Sequence, residues 1–421
     1  MSKYKILMNL KQLLTLQGVA KKDGRKIVPE DLSILENACV VINTECIPNI
    51  YTFVGLTRDL PKHYLENSNS DSIIVDAKKY IMAPEFIDAH THLAFFGDRA
   101  REYVQKLNGE SYENIAKLGG GILESMRQTK AALHDSRLKE EFFLKCSQKV
   151  EKMSERGVKT IEIKSGYGGD FQSEYELSTF IDSLAKKFSP KIEIIRTFMA
   201  AHAYPQNQTS QTYLNEVVIP LMHQLNSEKK IDAVDIFVEE GYFSVKDMQK
   251  LFEQAIKLSL RVKMHVDEFK NLKAIEQALK YNPISVDHCL QTDKADIQRL
   301  AQTNTVVNLL PGTAFFLGKK LPNARDFLDA GCKVAMASDY NPGSCHFDQL
   351  LMIAQMSAKN LQMNIGELWA SLTYNASQSL GLEQNRGFIK EGTIARYNLF
   401  ETNSQENIFY AWGENFKKEI D

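Results

Sequence analysis

From residue 83 onward the chain alternates short apolar, β-branched runs with longer segments in which apolar residues recur every three or four positions. After a first strand that residues 80–84 lead into and that runs up to Asp88, the runs fall at residues 158–163, 192–199, 234–238, 262–264, 285–286, 305–310 and 334–337. These apolar, β-branched runs, some of only two or three residues, read as strands, and the stretches between have the period of helices. Helices are predicted at 111–117 and 121–153, the latter carrying Phe143, Cys146, Val150 and Met153 at helical spacing. Eight strands separated by helical segments predict an α/β fold, a (β/α)8 TIM-like barrel over residues 83–384.

The two ends of the chain follow another rhythm. Residues 1–82 hold β-prone pieces such as 38–42 and 73–75 between polar, turn-forming stretches, with no chemistry of their own. After the eighth strand, helices are predicted at 347–360 and 365–380, with Gly381 as a stop. Residues 388–400 then read as extended. The expected organisation is a small β-sandwich-like unit from residues 1–82 and 385–421, attached to the barrel.

Composition narrows the function. Hydrophobic content of 43% and charged content of 25% are those of a soluble globular protein, and the formal charge is −2. Without a basic cluster, nucleic acid is not an expected partner. No apolar run reaches the ~18 residues of a membrane helix, and the first residues form no secretory h-region, so no membrane partner and a cytoplasmic location are expected. The six cysteines show no Cys-x-x-Cys spacing and read as reduced core residues.

The chemistry begins at Asp88-Ala-His-Thr-His. Side chains alternate along a strand, so Asp88, His90 and His92 share a face and two imidazoles can converge on a metal. Such a pair alone is weak evidence, but five of the nine histidines (His90, His92, His202, His265, His288) lie at predicted strand ends, where barrel enzymes carry their chemistry. His63, His134, His223 and His346 read as surface or structural.

The arrangement of His-x-His after strand one, histidines after strands five and six and Asp339 after strand eight resembles the amidohydrolase superfamily. The closer resemblance is to the imidazolonepropionases, through Gly97-Asp-Arg-Ala-Arg-Glu, Ser111-Tyr-Glu-Asn-Ile-Ala, Lys164-Ser-Gly-Tyr-Gly, Val238-Glu-Glu-Gly, His265-Val-Asp-Glu-Phe, Leu309-Leu-Pro-Gly-Thr-Ala-Phe-Phe-Leu and Ser338-Asp-Tyr-Asn-Pro-Gly-Ser. These motifs span about residues 80–382. The first 75 residues, and the last β piece at 395–400 with no aspartate, depart from the family, as do Val266 and Cys289 beside the site.

The resemblance implies hydrolysis of the cyclic amide of 4-imidazolone-5-propanoate to N-formimidoyl-L-glutamate in histidine degradation, by a homodimer. It implies one metal, zinc or iron, on His90, His92, His265 and Asp339, and a substrate pocket of Arg99, Tyr112, Tyr167, His202, Glu268, Asn341, Gly343 and Ser344. Such a donor set leaves room for a water whose pKa falls to ~7 on a zinc-type centre. Strand four ends in Glu239-Glu240 rather than in a lysine able to bridge two ions, which favours a single metal. Glu268 follows His265 by three residues, on the turn above the metal, placed to pass a proton to the leaving ring nitrogen. His288 and Asp339 are the alternatives for handling the water's proton, and sequence does not separate these roles. Arg99 suits the substrate's propanoate tail. Two rival readings remain: a mononuclear deaminase of aminated heterocycles, and a non-catalytic scaffold on the same fold.

Overall fold

The computed structural model describes residues 3–66, 72–110 and 120–420. The helix expected at 111–117, and with it Tyr112, lies outside the described residues. Eight parallel strands form one sheet in chain order: Phe86–Asp88, Val158–Lys164, Glu193–Ala201, Ala233–Val238, Arg261–Val266, Ser285–His288, Val306–Leu309 and Lys333–Met336. The sheet closes on itself through a bridge between Thr91 and Tyr340. There the Asp339 N–H donates to the His90 carbonyl, and the His92 N–H to the Tyr340 carbonyl, each at 3.0 Å. The barrel seam therefore fixes the backbone of three chemistry-bearing residues.

Strand alternation divides each strand between two environments. Ile161, Ile163, Val234, Ile236, Val262 and Met264 join the large apolar cluster that includes the helices. The opposite parity carries Thr160, Glu162 and Lys164, then Asp235, Lys263, His265, Ser285, Asp287 and Asn308, all buried. The polar side of the pattern thus faces other strands within the barrel rather than water.

The helices are more broken than their periodicity suggests. Residues 121–153 form two, Ile122–His134 and Ser136–Glu155, because Asp135 is extended and its carboxylate accepts the Leu138 N–H at 2.9 Å as an N-cap. The stretch at 365–380 likewise divides at Thr373 into Ile365–Leu372 and Tyr374–Gln378, and 347–360 shortens to Leu350–Ser357. Val245–Lys257 is the most regular case: a Ser244/Asp247 capping box starts it, and Met248, Leu251, Phe252 and Ala255 bury one face.

A second sheet of seven strands draws on both ends of the chain. Its central strand, Tyr4–Leu14, runs antiparallel to Ile34–Asn43 and parallel to Ser72–Asp76 and Tyr80–Pro84. Of the extended stretch expected at 388–400, only Tyr397–Glu401 is a strand, antiparallel to Tyr80–Pro84. The sheet meets the barrel around buried Glu85, which accepts from Thr160 Oγ1 at 3.1 Å and faces Arg386 and Arg396. Trp369 stacks on Phe86 beside this junction. Since the strand Phe86–Asp88 continues directly into His90 and His92, the junction also anchors the approach to the site.

Candidate functional site

Three imidazoles and a carboxylate meet at the carboxyl end of the barrel. Ring nitrogens of His90, His92 and His265 lie within 4.8 Å of one another, as do ligand atoms of His90, His288 and Asp339. His92 Nε2 is 3.1 Å from His265 Nε2, while Asp339 Oδ1 is 3.4 Å from His90 Nε2 and 3.6 Å from His92 Nε2. Burial holds all three histidines well below their ordinary pKa, so each is a neutral donor, and it pushes Asp339 up to about 7.

Two of the rings are oriented from behind by carboxylates. His90 Nδ1 is 2.7 Å from Asp287 Oδ2, and His265 Nδ1 is 3.2 Å from Asp235 Oδ1. An acceptor-only group at Nδ1 keeps the proton there and leaves Nε2 with its lone pair. His90 Nε2 is correspondingly buried with no hydrogen-bond partner. An orphaned lone pair beside two more imidazoles and a carboxylate is what a cation would satisfy, so these residues fit a metal ion.

The carboxylates belong to a buried ionic layer. Lys164 Nζ lies 2.6 Å from Asp235 and 2.7 Å from Glu162; Lys263 Nζ lies 2.8 Å from Glu162; both are 3.8 Å from Asp287. Ser285 Oγ and Asn308 Nδ2 donate to Asp287 Oδ1 at 2.7 and 2.8 Å. Burial opposes the charge on Lys164, but Asp235, Glu162 and Asp287 outweigh it and hold its pKa above the usual range. Two ammonium groups thus sit among three carboxyl groups beneath the histidines, and the Lys164 charge adds to burial in keeping His90, His92 and His265 neutral.

A cavity of about 900 Å³ opens over the cluster, lined by His92, Arg99, Tyr167, His202, Glu268, His288, Asp339, Asn341, Gly343 and Ser344 among others. His202 stacks on His92 at 4.6 Å, and Tyr167 stands edge-on to both rings. Glu268 is pushed up to about 8, chiefly by burial and then by Asp339; its Oε2 is 3.7 Å from His288 Nε2. Burial drives His288 down to about 3.

Arg99 immediately precedes the helix Ala100–Leu107, with Nε and Nη2 each 2.7 Å from Glu102 Oε2. Its Nη1 rests against Gly343: a Cβ there would come within 1.8 Å of it. The backbone of Gly343 thus has to be bare for the guanidinium to reach the cavity. Asn341 is engaged within its own loop. Its Oδ1 accepts the N–H groups of Gly343 and Ser344 at 2.8 and 2.7 Å, and its Nδ2 donates to the Asp339 carbonyl at 2.7 Å.

All the anticipated site residues among those described therefore line the cavity or belong to the cluster beneath it. Asp88, which shares strand parity with the histidines, is instead a stitch between strands one and eight, accepting the Ser338 N–H at 3.0 Å. The residues that sequence reasoning left without a role are Asp235, Asp287, Lys164, Lys263 and Glu162. Their signal was parity: ionisable residues on the same face as His265, in strands too apolar otherwise to be exposed.

Residues 81–417 match the amidohydrolase family. An imidazolonepropionase of Clostridium tetani is 33% identical over 417 residues, covering 99% of this chain and 96% of that protein. The chain belongs to the imidazolonepropionase family. A second member, from Agrobacterium fabrum, is 34% identical over 92% of this chain and 89% of its own. Motifs alone carried the likeness only over residues 80–382; the family alignment extends it through the amino-terminal strands. Among solved structures, a zinc-bound adenosine deaminase from Xanthomonas campestris superposes with a TM-score of 0.68 at 13% identity, covering 98% of this chain and 90% of that one. An ochratoxinase from A. niger gives 0.67 at 16%, over 97% and 92%. At such identities these two share the fold with the imidazolonepropionase family.

Proposed function

We infer that this protein hydrolyses 4-imidazolone-5-propanoate, opening the ring at a carbon–nitrogen bond to give N-formimidoyl-L-glutamate. What carries the reading is a metal-fitting cluster beneath a cavity with a cationic anchor, in a chain alignable over 99% of its length with an imidazolonepropionase. His90, His92, His265 and Asp339 would hold one ion, zinc or iron, with Glu239 and Glu240 supplying no bridging lysine for a second. Such an ion supplies Lewis-acid polarisation of the ring carbonyl and lowers the pKa of an attacking water.

The chain's own groups do the rest. Arg99 binds the propanoate through the edge not taken by Glu102, while Tyr167 and His202 form the wall that turns the ring towards the cluster. Glu268, with its carboxyl near 8, exchanges a proton at neutral pH and delivers it to the leaving ring nitrogen. His288 stays neutral and faces Glu268, so it relays or orients rather than serving as a cationic acid. Asn341 holds the loop bearing Gly343 and Ser344 rather than spending its amide on substrate. By resemblance alone Tyr112, outside the described residues, is a further candidate for binding the substrate.

The same reading makes the enzyme a cytoplasmic homodimer, with the barrel at 83–384 and the small unit at 1–82 and 385–421. No helix among the described residues is long and apolar enough to cross a membrane. Purified protein given the imidazolone should form N-formimidoyl-L-glutamate, followed by loss of ultraviolet absorbance. Release of ammonia from aminated heterocycles, with the imidazolone untouched, would instead support the deaminase reading.

A further inference from the structure

Pro311-Gly312-Thr313 marks the chain's resemblance to its family, yet none of the chemistry above uses it. Proline occupies the first position of the short helix Pro311–Phe316, at the carboxyl end of the seventh barrel strand. Gly312 lets that helix press against the eighth-strand loop: a Cβ would meet Cys345 Sγ and Ile353 Cδ1 at 3.0 Å and the Ser338 carbonyl at 3.3 Å. The close approach brings the Thr313 hydroxyl to Asp339, where it donates to Oδ2 at 2.5 Å. Both residues are nearly inaccessible, at 3% and 2% exposure. An O–H donated to a buried carboxylate at that distance is a charge-assisted bond in a setting where water does not compete.

We propose that Thr313 is the positioning residue of the metal-ligand carboxylate, occupying Oδ2 of Asp339 so that Oδ1 alone is presented to the histidines. Asp339 needs such a partner. Its backbone sits at φ +51°, in the left-handed region, which aspartate enters more readily than most residues but still at a cost that local bonds offset. Its N–H is fixed by the His90 carbonyl and its own carbonyl by Asn341 Nδ2; the Asn341 amide also favours the carboxylate, but less than Thr313 does. Thr313 constrains the carboxylate from the neighbouring strand end. His90 and His265 are likewise held from behind by Asp287 and Asp235, so three of the four ligands carry an orienting partner.

The inference rests on the proposed metal site, and the test keeps the two apart. Full-length metal-loaded wild type, Thr313→Ser and Thr313→Val are dialysed against graded chelator, with retained metal measured by elemental analysis and the unfolding temperature of each metal-free form recorded. Valine keeps the shape and removes the donor; serine keeps the donor and removes the methyl group. Thr313→Val should lose metal at roughly 10- to 100-fold lower chelator concentration, with Thr313→Ser close to wild type and the metal-free forms of similar stability. Retention of metal by Thr313→Val within about twofold of wild type overturns the proposal, as does equal loss in both variants, since packing of the methyl group would then be responsible. If Thr313→Val does not fold, Thr313→Ala provides the hydroxyl-free arm under the same criteria. Wild type that holds no metal would refute the metal site itself.

Discussion

Replacing Arg99 with methionine tests the substrate anchor, and the result has to be read through Glu102. The Arg99 side chain is only 7% exposed, and two of its nitrogens contact one Glu102 oxygen while the other accepts the Gly121 N–H at 3.0 Å. The variant therefore removes the contact to the propanoate and at the same time leaves a nearby carboxylate unpaired. Truncating one side of a desolvated, hydrogen-bonded charge pair costs about 2–5 kcal/mol, part of it the penalty on the abandoned partner. At 1.4 kcal/mol per decade this is roughly 30- to 3,000-fold in kcat/KM. Repulsion between Glu102 and the substrate carboxylate places the single variant towards the upper end, and Arg99→Met/Glu102→Gln should recover about tenfold. Initial rates of imidazolone loss across substrate concentration supply the numbers: a contact equally strong in ground and transition states shows as raised KM, one that orients the ring lowers kcat too. Gly343→Ala should give a milder version of the same defect, because its Cβ would displace Nη1. An imidazolone lacking the carboxylate decides the matter. Wild type and Arg99→Met should handle it alike; a variant equally impaired towards both compounds refutes the anchoring role.

Glu268→Gln should lower kcat by roughly 10²- to 10⁴-fold with metal content unchanged, and near-normal turnover would move the proton transfer to His288. Glu268 also makes a pH prediction for the metal-free protein: its carboxyl rises from 4.5 to about 8 on folding, so the folded state binds the extra proton between those values and loses stability as pH rises through them. The unfolding temperature of wild type should accordingly fall relative to Glu268→Gln between about pH 5 and about pH 9. Asp287→Asn removes the anionic acceptor at His90 Nδ1 and one partner of the two lysines, and should weaken metal binding by roughly 10- to 100-fold in a chelator competition.

The barrel and most of its site were legible because the chemistry lies at strand ends, and strand ends are where apolar runs stop. His90, His92, His265 and Asp339 stand at such boundaries, and the structure brings them together. The interior ionic layer was not legible in the same way. Val158-Lys-Thr-Ile-Glu-Ile-Lys alternates as a half-exposed strand would, and only barrel closure turns its Thr160, Glu162 and Lys164 face inward. The break at Asp135 was hidden for another reason: helical periodicity continues across it, and the signal was local, an aspartate three residues before the N–H it caps. The strand Tyr4–Leu14 carries no simple alternation to mark it, because a bulge between Leu7 and Leu10 shifts its register. Thr313 could not be found from its own element, since its partner Asp339 lies one strand further on.

A metal titration decides whether the protein is a single-metal hydrolase of the imidazolone ring. Metal-free protein is given increasing equivalents of zinc, or of iron in a parallel series, and the rate of imidazolone loss is measured promptly at each point. Turnover should be absent without metal, rise in proportion to the metal added, and level off at about one equivalent per chain. Turnover independent of added metal, a plateau near two equivalents, or an imidazolone left intact at every loading would contradict a single-metal hydrolase of this ring.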